Sequence, residues 1–425
     1  MWRRVRPAAA ASSLHSRGKE NEVSSLKKAL RRGFDRSFRH LAVFVISLLV
    51  KIKFRVRATV VDMPEPGALI LGNHTCIWDF GFLLYALKQR ADERFVATSV
   101  QFDKSRFFTW AFGHLGIIRK QQGASDLQSV REMMRASKEG GWVVLYPAGM
   151  TSFDGRQAGN ALPGTGQLPK LLRTGVYTAI VNGGFLSAPR YLKGSLRGRV
   201  EITVKRLLSA EEAAKLSADE IQARVNEALR FNDWDWQEKN RVPFKGIQKM
   251  DGVWRQLYYC PECGQEGAIK QGKGTLYCEK CHFSALRDEY GFFHREKGNG
   301  ACPSRMDEWT DMELTALRRS LEDPSYTLSQ NGVRYMTQPE GALQATNVDS
   351  GEMRLSRGGL DFDGQNGHSL HFEINDFQFL ISDDLNTLRL NAGGMSHLFY
   401  FEDPSLMNKW IFMHQILKGE GACRT

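Results

Sequence analysis

Between residues 60 and 207 the chain alternates two hydrophobic patterns. Short apolar runs at 68–71, 95–99, 142–146, 178–181 and 200–204 predict strands. Between them, at 80–88, 105–112 and 127–137, apolar positions recur every three or four residues, which predicts helices. Strands and helices in alternation are the signature of an α/β domain. Ser209 with Glu212, and Ser217 with Glu220, have capping-box spacing and open helices that run to about Phe231. The run 232–236 closes this domain.

The flanking segments follow other patterns. From Ser25 to about Phe54 the spacing is helical, with Leu26, Leu30, Phe34, Phe38 and Leu41 separated by Lys27, Lys28, Arg31, Arg32, Arg36 and Arg39. From Leu41 to Val50 it becomes apolar on all sides, far short of the roughly 20 residues that cross a bilayer. A basic amphipathic helix running into a short apolar segment suits an interfacial anchor on anionic lipid. The competing reading is a helix packed on the globular core with a solvated basic face. Beyond a linker-like run at 298–303 comes an acidic helical stretch at 306–321. Short alternating strands then follow at 343–346, 353–355, 360–362, 370–374, 377–380, 387–390 and 397–401, with a final helix at 406–417. Seven short strands and a C-terminal helix resemble a pleckstrin-homology or GRAM-type barrel, with a generic β-sandwich as the alternative.

Charge sharpens the picture at one end only. Residues 1–60 hold 15 Lys and Arg against 3 Asp and Glu, whereas the rest of the chain holds 43 against 44. The net charge of +11 is thus an N-terminal property rather than a general nucleic-acid-binding surface. The run 8–11 is too short for the apolar region of a secretory signal, so residues 1–24 read as a disordered basic leader.

The seven cysteines are Cys76, Cys260, Cys263, Cys278, Cys281, Cys302 and Cys423, and four of them form two CxxC pairs. An odd count with this pairing argues for a reducing compartment and a metal rather than disulfides. Cys260-x2-Cys263 and Cys278-x2-Cys281, fourteen residues apart, supply four thiolates suited to tetrahedral structural Zn2+ in a zinc ribbon. Four thiolates leave no coordination position for chemistry. His282 adjoins the last of them and reads as a neighbour or a surface residue. The ribbon, with four Lys or Arg against three Glu over 258–287, is no basic patch, so nucleic acid is not an expected partner. Cys76, Cys302 and Cys423 stand alone, and His368, His371, His397 and His414 have no ligand spacing.

The stretch that organises the chain is 70–85, ILGNHTCIWDFGFLLY. A buried strand ends at Gly72 and delivers Asn73-His74 into a turn before a helix, the place where α/β proteins put their chemistry. Histidine as a residue type has the right unperturbed pKa for a general base, and a nearby carboxylate such as Asp79 can fix its tautomer and stabilise its imidazolium. Five residues turn a helix by about 500°, so the two would not share a face of one continuous helix. His74 belongs in the turn, with Asp79 in the first helical turn facing back.

Asn73-His74-x4-Asp79 resembles the first motif of the phospholipid/glycerol acyltransferase family. Gly116-Ile117-Ile118-Arg119-Lys120 looks like the second motif, and Tyr146-Pro147-Ala148-Gly149-Met150-Thr151-Ser152 aligns with the third. Ser187-Ala188-Pro189-Arg190 stands where the fourth is expected. The resemblance spans roughly residues 60–230. It departs from the family at the third motif, usually Phe-Pro-Glu-Gly-Thr-Arg-Ser: Ala148 replaces the Glu and Thr151 the Arg that help hold the acceptor's phosphate and glycerol. Arg119, Lys120, Arg156 and Arg190 are the cations available in their place, with Arg119 and Arg190 on motif positions.

The resemblance implies an O-acyltransferase that moves a fatty acyl group from acyl-CoA or acyl-carrier protein to the hydroxyl of a lysophospholipid or glycerol-phosphate-type acceptor. His74 and Asp79 would be catalytic, and Asn73, Arg119, Lys120, Gly149, Ser152 and Arg190 would bind substrate. Trp78, Phe80, Phe82 and Leu83 either line an acyl groove or pack the core. The alternative is a catalytically silent membrane adaptor on the same scaffold. The expected architecture is an interfacial helix at 25–58, an α/β acyltransferase domain at 59–240, a zinc ribbon at 255–298 and a β-rich barrel-like unit at 304–425. The expected location is the cytoplasmic face of a membrane.

Overall fold

The computed structural model describes residues 9–88, 93–102, 105–120, 126–157, 159–246, 252–339 and 341–419, with side chains from residue 30 onward except those of Arg32 and Val100. Cys423 and residues 1–8 lie outside the described residues. Helix α1, Ala9–Lys53, already includes much of the segment expected as a structureless leader. It ends at Lys53, close to the end of the helical spacing but short of the bound of 58 expected for the interfacial helix, because 55–58 belong to strand β1 (Arg55–Val60). The alternation Arg55-Val56-Arg57 is a strand period of two, and it was masked by the basic residues that close the apolar run.

Seven strands form the first sheet in the order β1-β7-β6-β2-β5-β3-β4. After β1 come β2 (Leu69–Gly72), α2 (Asp79–Leu87), β3 (Glu93–Thr98), α3 (Ser99–Phe102), α4 (Arg106–Leu115), β4 (Ile118–Lys120), α5 (Leu127–Lys138) and β5 (Trp142–Leu145). They are followed by α6 (Leu168–Leu172), β6 (Val176–Asn182), α7 (Gly184–Ser187), β7 (Arg199–Leu208), α8 (Ala210–Lys215), α9 (Ala218–Ala228) and α10 (Asp233–Asn240). All neighbours run parallel except β6 and β7. Strand β2 is buried throughout, and its residues alternate between two cores. Ile70 packs with Val50, Phe54 and Phe82 on one face, while Leu69 and Leu71 pack with Val143, Val176 and Ile221 on the other. A strand covered on both faces has to be a continuous apolar run, the pattern by which 68–71 was recognised. Both expected capping boxes form: Ser209 and Ser217 accept from Glu212 N and Glu220 N, and each Glu carboxylate accepts in return.

The second sheet is antiparallel, in the order β11-β10-β9-β8, from β8 (Ile269–Gln271), β9 (Thr275–Cys278), β10 (Ser284–Arg287) and β11 (Phe293–Lys297). It shares one core with the first domain, in which Phe185, Leu186 and Trp234 pack with Phe283, Phe292 and Trp309.

Helix α11 (Met306–Ser320) leads to a third, antiparallel sheet in the order β15-β14-β13-β12-β18-β17-β16, closed by α12 (Met407–Leu417). Its strands are β12 (Leu328–Pro339), β13 (Thr346–Ser356), β14 (Gly359–Gly364), β15 (Ser369–Phe372), β16 (Ile381–Ser382), β17 (Thr387–Ala392) and β18 (Met395–Tyr400). The number expected was right but not the set. Residues 343–345 precede β13 rather than forming a strand of their own, and 377–380 form a buried loop before β16. The longest strand, β12, escaped the pattern because a bulge between Gln330 and Val333 breaks its alternation. Among the described residues no pairing joins β15 to β16, so the sheet is seen as a seven-stranded row rather than a closed barrel.

Candidate active site and metal centre

Three neighbouring strands deliver the site to one edge of the first sheet. Asn73-His74 leave the end of β2, Tyr146-Pro147-Ala148-Gly149 leave β5 beside it, and β6 on the other side leads through α7 to Pro189-Arg190.

Asp79 is the first residue of α2 and is buried. Its Oδ2 accepts from Thr75 N at 2.7 Å and Cys76 N at 3.0 Å, and its Oδ1 accepts from Thr75 Oγ1 at 2.5 Å. So held, Oδ2 lies 2.8 Å from His74 Nδ1. The positive end of the α2 helix dipole favours the carboxylate there. His74 is in the turn before the helix and Asp79 faces back, as the spacing required. With Nδ1 bound to Asp79, His74 is left with Nε2 to act on another molecule. Cys76 is buried against this cluster, and burial followed by the Asp79 charge pushes its thiol well above its usual pKa, the opposite of a nucleophile's setting.

The third-motif turn is tied to the first motif. Ser152 N donates to the His74 carbonyl at 2.9 Å, and Gly149 N closes the turn on the Tyr146 carbonyl at 3.1 Å. The Tyr146 ring stacks on the His74 imidazole with centroids 4.7 Å apart. This close approach depends on Gly72, where a Cβ would meet the Tyr146 ring at 2.4 Å. Among the described residues the buried Tyr146 hydroxyl finds no partner, and burial, then the charge of Asp79, raises its pKa. Sequence reasoning passed over Tyr146. The available signal was a hydroxyl at a position where the family usually has Phe.

The expected substrate-binding residues divide. Asn73 is fully buried, and both halves of its amide are taken by the Val181 backbone at 2.8 Å, so it splices β2 to β6 and offers nothing to a ligand. Ser152 is likewise internal: its Oγ donates to the Arg156 carbonyl and accepts from Gly155 N. Arg156 is held by Asp154 and Asp311 at 2.7 and 2.8 Å, which removes it as a phosphate ligand. Arg119 and Lys120 end the edge strand β4, three strands from β2 and so about 14 Å across the sheet at ~4.8 Å per strand. The Arg119 guanidinium lies over the Phe102 ring. Gly149, at φ +73°, makes a turn that other residues adopt only with strain. Arg190 lies over the Phe153 ring at 4.4 Å.

Asp233, the first residue of α10, accepts from Gly183 N and Phe185 N at 2.9 and 3.0 Å and so fixes the β6–α7 turn. Burial raises its carboxyl to about 7, with Asp79 adding to the rise.

The four ribbon sulfurs all lie within 4.8 Å of one another, with Cys260 and Cys281 3.6 Å apart and Cys263 and Cys278 3.8 Å apart. Four sulfurs at 2.3 Å from a tetrahedral zinc would be about 3.8 Å apart, so this cluster fits such an ion. His282 has φ +62° and serves the knuckle's turn. The other single histidines also have ordinary partners: His368 with Asp349, His371 with Asp361, His397 with the Tyr335 hydroxyl and His414 stacked on Phe377.

Comparison with known proteins agrees with the motif reading. Residues 51–182 match the acyltransferase family. No curated protein matches the chain. Among solved structures, the 1-acyl-sn-glycerophosphate (LPA) acyltransferase PlsC from Thermotoga maritima is similar at 16% identity, over 47% of this chain and 80% of that one. Its TM-score of 0.37 is too low for the likeness to carry an argument. The match to the acyltransferase family thus covers the first three motifs, within residues 51–182, and less than half of the chain.

Proposed function

We propose that the chain transfers a fatty acyl group from an acyl thioester, acyl-CoA or acyl-carrier protein, to the hydroxyl of a lysophospholipid or related glycerolipid. The observation that carries the reading is the His74–Asp79 pair at 2.8 Å, with Asp79 locked by three further donors. The acceptor hydroxyl gives its proton to His74 Nε2 as its oxygen attacks the thioester carbonyl carbon. The C–S bond breaks, and the thiolate leaves with the proton returned from His74. Asp79 stabilises the imidazolium between these steps. The thioester is already activated, so alignment of the two substrates supplies much of the rate.

Association with the cytoplasmic face of a membrane belongs to the same reading. Among the described residues no helix is long and apolar enough to cross a membrane. Helix α1 nevertheless exposes Leu41, Phe44, Leu48 and Ile52 beside Arg36, Lys51 and Lys53. It packs on α4 through Asp35–His114 at 2.6 Å and Phe38–Trp110, and α4 exposes Phe107, Phe108 and Trp110. Ile77, 65% exposed, and Phe80 are further exposed apolar side chains, close to His74 in the chain. Apolar side chains ringed by cations suit an anionic interface from which a lysolipid could enter. Structural Zn2+ on the four cysteines, and a pleckstrin-homology-like role for the β-rich unit, complete the proposal.

The test is acyl transfer by the purified chain from labelled acyl-CoA or acyl-carrier protein to a panel of lysolipids, with His74→Ala alongside. Transfer to one acceptor that disappears in the variant is the expected result. Liposome binding without transfer to any acceptor would favour the silent adaptor, to which Ala148 and Thr151 already lend support.

A further inference from the structure

The β-rich unit is packed directly on the third-motif turn. Met150 and Phe153, which follow that turn, lie in the core of the β-rich unit rather than in that of their own domain, and the Phe153 ring meets Phe412 of α12 at 5.6 Å. Phe379, in the loop before β16, presses on Gly149 so closely that a Cβ there would meet its ring at 3.2 Å. The turn therefore carries His74 at one end, through Tyr146, and the β-rich unit at the other, through Gly149.

Arg190 arrives at the same junction from α7. Its guanidinium covers the Phe153 ring and donates to the Ser382 carbonyl of β16 at 3.3 Å. No carboxylate pairs with it among the described residues, and burial lowers its pKa to about 10. A desolvated cation without a counter-charge is costly unless an anion joins it. The other candidate cations are elsewhere or engaged: Arg119 and Lys120 on the edge strand, Arg156 between two aspartates. The family's own phosphate-holding residues are absent at Ala148 and Thr151.

We propose that the β-rich unit completes the acceptor site, with Phe379 forming its wall and Arg190, held by Ser382, binding a phosphate group of the acceptor. The inference rests on the acyltransferase reading. It replaces the missing third-motif cation with one from the fourth motif, positioned by a different unit of the same chain.

The experiment measures binding of lysophosphatidate, monoacylglycerol and CoA to the full chain, to Arg190→Gln, to Arg190→Lys and to Phe379→Ala. His74→Ala serves as a non-transferring reference. Arg190→Gln is expected to weaken lysophosphatidate by about tenfold or more, the loss associated with a charge-assisted hydrogen bond. Monoacylglycerol and CoA should bind as before, and Arg190→Lys should recover part of the loss. Phe379→Ala is expected to raise KM for the acceptor while leaving kcat near its original value. Unchanged lysophosphatidate affinity in Arg190→Gln, or equal weakening toward CoA, overturns the proposal. Binding that depends on Arg190 in a protein that acylates nothing would instead sink the acyltransferase reading and leave this anion site standing.

Discussion

The imidazole of His74 and the ring of Tyr146 lie nearly parallel, 22° apart, so the side chain that would take the proton is supported on one face by a ring whose own hydroxyl has no partner among the described residues. An unsatisfied buried hydroxyl costs about 1–3 kcal/mol. Tyr146→Phe, which restores the usual family residue, should leave kcat within about threefold and hold or raise Tm, since it removes that penalty. Tyr146→Ala removes the supporting ring and should lower kcat by about tenfold or more, the scale on which small misplacement of a catalytic group is felt. Parallel melting curves and steady-state kinetics check both.

Gly72 should prove as sensitive as the histidine although it carries no chemistry. An added methyl would lie 2.4 Å from the Tyr146 ring and force it off the imidazole. Gly72→Ala is expected to cost about 1–3 kcal/mol of stability, the usual scale for overpacking. Activity should fall more steeply than stability, as seen by comparing residual kcat with Tm at a temperature where the variant is folded.

Asp79→Asn tests the pair itself. An amide cannot accept from Thr75 N, Cys76 N and Thr75 Oγ1 and also hold His74 as the carboxylate does. A fall in kcat of about 10²–10⁴ with little change in KM is expected, the range for loss of a general base's orienting acid. An unchanged kcat would remove His74 from the role proposed for it.

The metal has a prediction of its own. Elemental analysis should find one zinc per chain, and Cys263→Ser should lose it. Because the ribbon shares a core with Phe185 and Trp234, that loss should also lower the Tm of the acyltransferase domain.

Asp233 predicts a pH dependence with a definite sign. Its carboxyl titrates near 7 in the fold, because of burial, against an ordinary value of 3.8. Between these values the native state keeps a proton that the unfolded chain has released. Its contribution to stability is therefore full below about pH 4, declines as pH rises, and is lost above about pH 7. Asp233→Asn should flatten this part of the stability curve, measured by denaturant unfolding from pH 4.5 to 8.

Much of the site was legible because its determinants are local. The run 68–71 had to be a doubly covered strand, and five residues between His74 and Asp79 had to be divided between turn and helix. The CxxC spacing likewise defines a cluster without any knowledge of the fold. The misreadings arose where partners are distant. Asn73 looked like a ligand until Val181 took its amide, and Arg156 looked available until Asp311 arrived from another unit. The strands β1 and β12 were lost for other reasons: the basic residues that close the preceding apolar run hid the alternation of β1, and a bulge breaks that of β12. Nothing in residues 146–153 could announce that Phe379 and Phe412 would close over them.

That closure bears on how the enzyme is made. Phe153 leaves the ribosome long before Phe412, so the third-motif turn cannot settle against its final neighbours until the last helix has been synthesised. The His74–Asp79 pair can form early, as a contact within one short segment, but the far side of the third-motif turn is packed only once Phe412 and its helix have emerged. A nascent or C-terminally clipped chain would therefore carry a formed His74–Asp79 pair and a third-motif turn still unpacked on that side.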